Sequence, residues 1–146
     1  TDNAGATKFA ESAAQRVAVE GGLVTPIAID VFTDRAFFQA RWQLLPTGTT
    51  NATTCSAAGA THMSVLATVT SGTNGFEDDQ ILCSAGEAGN IALTGTPVPL
   101  GSAYTVRLEA LDGNGAGLGN SQLTTHSQFE YGNQYLDLGL VNIPLD

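Results

Sequence analysis

Pro97-Val98-Pro99-Leu100-Gly101-Ser102-Ala103-Tyr104-Thr105-Val106-Arg107-Leu108-Glu109-Ala110-Leu111-Asp112-Gly113-Asn114-Gly115 contains a β-strand with its own start and stop. The Pro and Gly residues at its head end any preceding element and release a chain that alternates. Tyr104, Val106, Leu108 and Ala110 fall on one side, and Thr105, Arg107 and Glu109 on the other. A period of two with one apolar and one polar side is what a sheet wet on one face produces. Asp112-Gly113-Asn114-Gly115 then supplies residues that accept positive φ, so the chain can reverse at once.

Upstream of this strand the same pattern recurs. Ile91-Ala92-Leu93 and Ile81-Leu82-Cys83 read as short strands separated by the Gly86–Asn90 turn, and residues 71–79 read as an acidic loop. Met63, Val65, Ala67 and Val69 line one face of a further strand, and residues 46–60 form a polar loop carrying Cys55. From Phe37 to Leu45, Phe38, Ala40, Trp42 and Leu44 alternate with Gln39, Arg41 and Gln43. Residues 23–33 make the first strand, with Ile27, Ile29 and Val31 on one side, and pair with the Phe37–Leu45 run as a hairpin. Pro26 has no N–H to give a ladder, which places that strand at an edge or Pro26 at its start.

Downstream, residues 118–130 read as one strand with Leu123, Thr125, Ser127 and Phe129 in phase. Tyr131-Gly132-Asn133-Gln134 is a turn, and Leu136, Leu138 and Leu140 point one way along a final strand ending near Pro144. Seven to eight short strands with frequent turns and no long helix predict an all-β, antiparallel β-sandwich over residues 23–146, of immunoglobulin-like or prealbumin-like type. Trp42 precedes both cysteines, so the antibody arrangement, with Trp between them, does not apply.

Residues 1–22 stand apart as an N-terminal extension. Phe9, Ala10, Ala13, Ala14 and Val17 make an apolar face at helical spacing, whereas an extended reading puts Phe9, Ala13, Val17 and Val19 on one side. Gly21-Gly22 ends either element. The segment is expected to serve as a docking or strand-exchange tail.

With 146 residues the chain fits one domain and can bury a substantial core. Charged residues make up 13%, about half of ordinary usage, and Thr, Ser, Asn, Ala and 17 Gly take their place. The net charge of −9 argues against nucleic acid or an anionic membrane as partner, and no stretch is long and apolar enough to span a bilayer. Cys55 and Cys83 are the two cysteines, and no His/Cys spacing suggests a metal, so they are expected to form a disulfide in an oxidising compartment. Closing that loop would stabilise the fold by roughly 3–4 kcal/mol. A leader is expected to have been removed ahead of Thr1.

Sites for chemistry are sparse. Gly-x-Ser-x-Gly, His-Glu-x-x-His, Gly-x-x-x-x-Gly-Lys and Cys-x-x-Cys are all missing from the sequence, so no catalytic residues and no cofactor are expected. His62 sits at a strand start and His126 on a polar strand phase, both ordinary positions for solvated histidines. Glu77-Asp78-Asp79 could hold Ca²⁺ with loop carbonyls, or could simply be a solvated loop. Asp112-Gly113-Asn114-Gly115 resembles the head of a calcium loop but lacks the later acidic ligand, and a hairpin turn accounts for it. Asn51-Ala52-Thr53 fits the glycosylation acceptor pattern. Phe129, Tyr131 and Tyr135 could stack on sugar or pack at the sandwich rim.

Residues 97–111 resemble the Pro-Gly-x-Tyr-x-Val segment of carboxypeptidase-regulatory-like domains and related surface sandwiches. A wider set runs from Arg41-Trp42 through Cys55-x-x-x-Gly59, Cys83-Ser84-x-Gly86 and Gly101-Ser102-x-Tyr104-Thr105-Val106 to Leu111-Asp112-x-x-Gly115. Over residues 36–146 this set is similar to Ig-like sandwich domains of surface lipoproteins of myxobacteria and their relatives. The resemblance implies an extracellular or outer-surface structural or binding module without catalytic apparatus. No lipid-attachment Cys is visible, which leaves anchoring open. The expected function is a non-enzymatic structural protein that joins copies of itself or another surface protein through its tail. The alternative is a cell-surface module binding carbohydrate or protein through the loops at 46–60, 71–79 and 112–120.

Overall fold

The computed structural model describes Gly21 and residues 31–146. The described residues fold into two layers of β-sheet with a disulfide between Cys55 and Cys83, so the all-β sandwich is observed. Nine strands are present among them, one or two more than expected. They are β1 Arg35–Leu45, β2 His62–Val69, β3 Gly75–Leu82, β4 Ala92–Leu93, β5 Val98–Pro99, β6 Tyr104–Leu111, β7 Gly117–Asn120, β8 Thr124–His126 and β9 Tyr135–Pro144.

In the first sheet β1 is central. β9 runs along one of its edges, and β5 and β4 follow one another along the opposite edge. Trp42 N–H donates to Gly86 O and Thr53 N–H to Leu44 O, which carries that edge to the end of β1. Both edges of β1 are therefore occupied, and the expected hairpin between residues 23–33 and β1 has no place to form. Val31, Phe32 and Thr33 are not in a strand, and the rest of that expected strand lies outside the described residues, as does most of the extension 1–22. A second correction concerns direction. β1 and β9 are parallel, while every other strand pair described is antiparallel.

The second sheet has β2 between β3 and β6, with β7 and β8 sharing the far edge of β6. The chain expected to be one strand over 118–130 is thus two. Between them Ser121 Oγ accepts from Leu108 N–H at 3.0 Å, replacing a ladder carbonyl, and Leu123 swings out to solvent. Phe129, beyond β8, returns to the core.

The core is the inward phase of the alternating strands. Phe38, Trp42 and Leu44 meet Met63, Val65 and Ala67 of β2, and Tyr104, Val106 and Leu108 of β6. Burying each large apolar side chain stabilises the fold by about 1.5–3 kcal/mol. Phe38 lies edge-on to Tyr104 and to Phe129, with ring centroids 6.1 and 5.3 Å apart. Tyr104 Oη donates to Pro99 O at 2.7 Å, tying the second sheet to β5 of the first. Desolvation raises the Tyr104 pKa above its ordinary value, with a smaller opposing effect from Ser102.

Two bulges reset the phase. In β3, Asp79 and Gln80 oppose Ser64 alone, so inward positions change from Phe76 and Asp78 to Ile81. In β9, Leu138 and Gly139 oppose Ala40, with Gly139 at φ +73°. Leu136 and Leu138 pack on the core before the bulge, and Val141, Ile143 and Leu145 after it. Leu140, expected on the same side as Leu136, consequently points outward and is 58% exposed.

Candidate functional site

The acidic run lies in β3, and the expected loop over 71–79 is confined to its first residues. Of the three carboxylates that were candidates for Ca²⁺, strand alternation turns Asp78 inward, away from the exposed Glu77 and Asp79. Glu77 accepts from Ser64 Oγ at 2.7 Å, and Asp79 from Gln80 Nε2 at 2.7 Å. Asp78 turns inward, where it accepts from the backbone N–H groups of Gly95 and Thr96, and from Gln80 N–H at 3.3 Å. Its carboxylate is thus a polar tie between β3 and the chain leaving β4. No group of three or more His, Cys, Asp or Glu side chains arranged to hold a metal occurs among the described residues. Asp112, the other calcium-like position, accepts from Ala116 and Asn114 N–H at 2.8 Å each, and these bonds hold its carboxyl below the usual carboxylate range.

The disulfide braces loops that border a surface groove. Cys55 and Cys83 have Cα atoms 5.9 Å apart and both are buried. Cys55 opens a one-turn helix, α1 Cys55–Ala58, inside the stretch read as a plain polar loop. Thr54 caps it by accepting from Ala57 N–H, and the Glu87 carboxylate accepts from Cys55 N–H at 3.0 Å. Cys83 opens a 3₁₀ turn whose carbonyl accepts from Trp42 Nε1 at 2.8 Å. Gly86 then lies flat on the indole, where a Cβ would come within 2.6 Å of the ring.

These loops wall a groove of about 400 Å³ across β1, with Arg41, Gln43 and Leu140 on its floor and Thr53, Thr54, Glu87 and Ala88 along its side. Arg41 reaches Asp137 at 3.4 Å, while its buried Nε has no hydrogen-bond partner among the described residues. Gln43 Nε2 donates to Asn142 Oδ1 at 2.8 Å across the parallel pair. The groove was invisible in the sequence because its floor needs the β9 bulge, which turns Leu140 outward beside Arg41.

The remaining sequence candidates are dispersed. Asn51 is exposed in the loop before α1, an accessible place for a glycosylation acceptor. Phe9, Val17 and Val19 lie outside the described residues. The three aromatics do not form a common platform. Phe129 is in the core, Tyr135 stacks on Phe37 at 5.1 Å, and burial raises the Tyr135 pKa. His126 is half-buried on β8, where desolvation lowers its pKa, and His62 is the first residue of β2.

The margins of both sheets are strands with one strand partner each among the described residues. Among the described residues β3 pairs only with β2, and β9 pairs only with β1 apart from a single bridge between Gly119 and Leu145. Comparison with protein-family models, with curated proteins and with solved structures finds no match for this chain.

Proposed function

We propose that this chain is a non-enzymatic extracellular structural module that joins copies of itself through its N-terminal tail. The observation that carries the reading is the set of edge strands at the margins of the two sheets, β3 and β9 among them, each with one strand partner among the described residues. A strand edge is a row of N–H and C=O groups that a further extended segment can complete. The tail supplies such a segment, with Phe9, Val17 and Val19 on one side of its extended form. The buried disulfide supports an oxidising location, and no helix among the described residues is long and apolar enough to cross a membrane. The resemblance to Ig-like surface sandwiches points the same way.

Deleting residues 1–22 tests the reading in the electron microscope. Assemblies of the full chain that disappear on deletion support it. If both proteins form the same particles, the tail is not the connector.

A second reading is favoured by the groove beside the disulfide. It would make the chain a surface module that binds carbohydrate or protein, with Arg41 and Gln43 on the floor and Thr53 at the side offering polar contacts around Leu140. Glycan-array or pulldown binding that is lost in Arg41→Ala with Leu140→Ala would select it over the structural role.

A further inference from the structure

We propose that Asn74, at the tip of the β2–β3 hairpin, is a site of spontaneous modification, where the side-chain amide is lost through a cyclic imide with the next residue. The site stands apart from both the tail and the groove.

Sequence chemistry narrows the choice. Of the eight asparagines only Asn74 and Asn114 precede a glycine. Glycine has no Cβ to shield its nitrogen and moves freely about its backbone, so that nitrogen can reach the neighbouring carboxamide. It forms a bond to the Asn Cγ, its proton passes to solvent, and the Cγ–Nδ2 bond breaks with release of ammonia. Water then opens the imide at either carbonyl, leaving aspartate or isoaspartate. Nothing is oxidised or reduced.

The fold treats the two sites differently. In the turn between β6 and β7, Gly115 N–H donates to Asp112 O at 3.1 Å. Asp112 Oδ1 accepts from the N–H groups of Asn114 and Ala116 at 2.8 Å each. The attacking nitrogen is therefore engaged, and swinging it onto the Asn114 Cγ breaks the turn.

Asn74 follows the exposed Ser71-Gly72-Thr73 and is itself exposed, directly ahead of β3. Val69 N–H donates to Asn74 O at 3.0 Å, which makes residues 69 and 74 a hydrogen-bonded pair. Antiparallel ladders alternate such pairs with non-hydrogen-bonded ones, so Thr68 and Gly75 form one of the second kind. Gly75 N–H thus points away from β2, towards the side of β3 that has no strand partner among the described residues. An exposed carboxamide and a glycine nitrogen outside the ladder meet at this one junction. Conversion adds a carboxylate at the head of β3, and the isoaspartate form also lengthens the main chain there by one carbon.

Peptide-mapping mass spectrometry of the full chain, aged at mildly alkaline pH in heavy-oxygen water, tests this. The Asn74 peptide should gain acid and heavy oxygen about tenfold faster than the Asn114 peptide, the equivalent of about 1.4 kcal/mol of barrier. In urea, with both turns unfolded, the two rates should converge. Gly75→Ala should slow the Asn74 step. The Cβ it adds lies 3.6 Å from Leu66 Cδ1, an ordinary contact, so the hairpin accommodates it. Equal rates in the native chain, a faster Asn114, or a ratio that persists in urea would overturn the proposal. So would conversion at Asn74 that Gly75→Ala leaves undiminished.

Discussion

The Asp78 carboxylate crosses from one sheet to the other, holding the Gly95 and Thr96 N–H groups that follow β4. Replacing it by Ala strands these donors beneath β3. Asp78→Ala is expected to lower the unfolding free energy by about 2–4 kcal/mol in urea titrations, the range for losing charge-assisted hydrogen bonds in a buried place. Added Ca²⁺ should leave the melting temperature of the native chain unchanged, and a rise would restore the ligand reading of residues 77–79. Tyr104 makes the analogous tie through its hydroxyl. Tyr104→Phe should cost about 1–2 kcal/mol, because Pro99 O loses its donor. The inward places of Phe38, Trp42, Tyr104 and Val106 were legible from alternation alone. The role of Asp78 was not, since a carboxylate in an acidic run looks solvated until its backbone partners, about seventeen residues away in sequence, are seen.

At the scale of elements, the strands with an unbroken period of two were readable and those with a bulge or break were not. β1, β2 and β6 keep one phase throughout. β3 and β9 slip by one residue at Asp79-Gln80 and at Leu138-Gly139, which hid a strand in the first case and reversed Leu140 in the second. The groove could not be read for the same reason. Gly139 carries a left-handed φ, so Gly139→Val should destabilise by about 1–2 kcal/mol through backbone strain. A matched Leu140→Ala change should be nearly silent, and equal losses from both would mean that the bulge carries no strain. The turn between β6 and β7 answers to pH. Asp112 is held below its ordinary pKa by two backbone N–H groups, so its contribution is complete above the unfolded-state value of about 4 and is lost as pH falls through the lower folded value. Asp112→Asn should flatten that part of the acid limb in melting curves recorded below about pH 4. A limb as steep as that of the parent chain would show that the turn does not titrate with stability.

For the whole molecule, a layered core and disulfide-braced loops are flanked by edge strands that have one strand partner each among the described residues. Reducing the Cys55–Cys83 bond is expected to lower stability by roughly 3–4 kcal/mol through the freed 28-residue separation, without loss of the β signature in circular dichroism. A collapse of that signature would instead make the bridge a condition of the fold. The functional proposal turns on whether single copies join through the tail. Sedimentation velocity over a range of concentrations, comparing the full chain with the combined Phe9→Asp, Val17→Asp and Val19→Asp variant, asks this most directly. The expected result is a full chain that grows heavier with concentration and a variant that stays monomeric. Superimposable distributions for the two proteins would contradict the tail as the link.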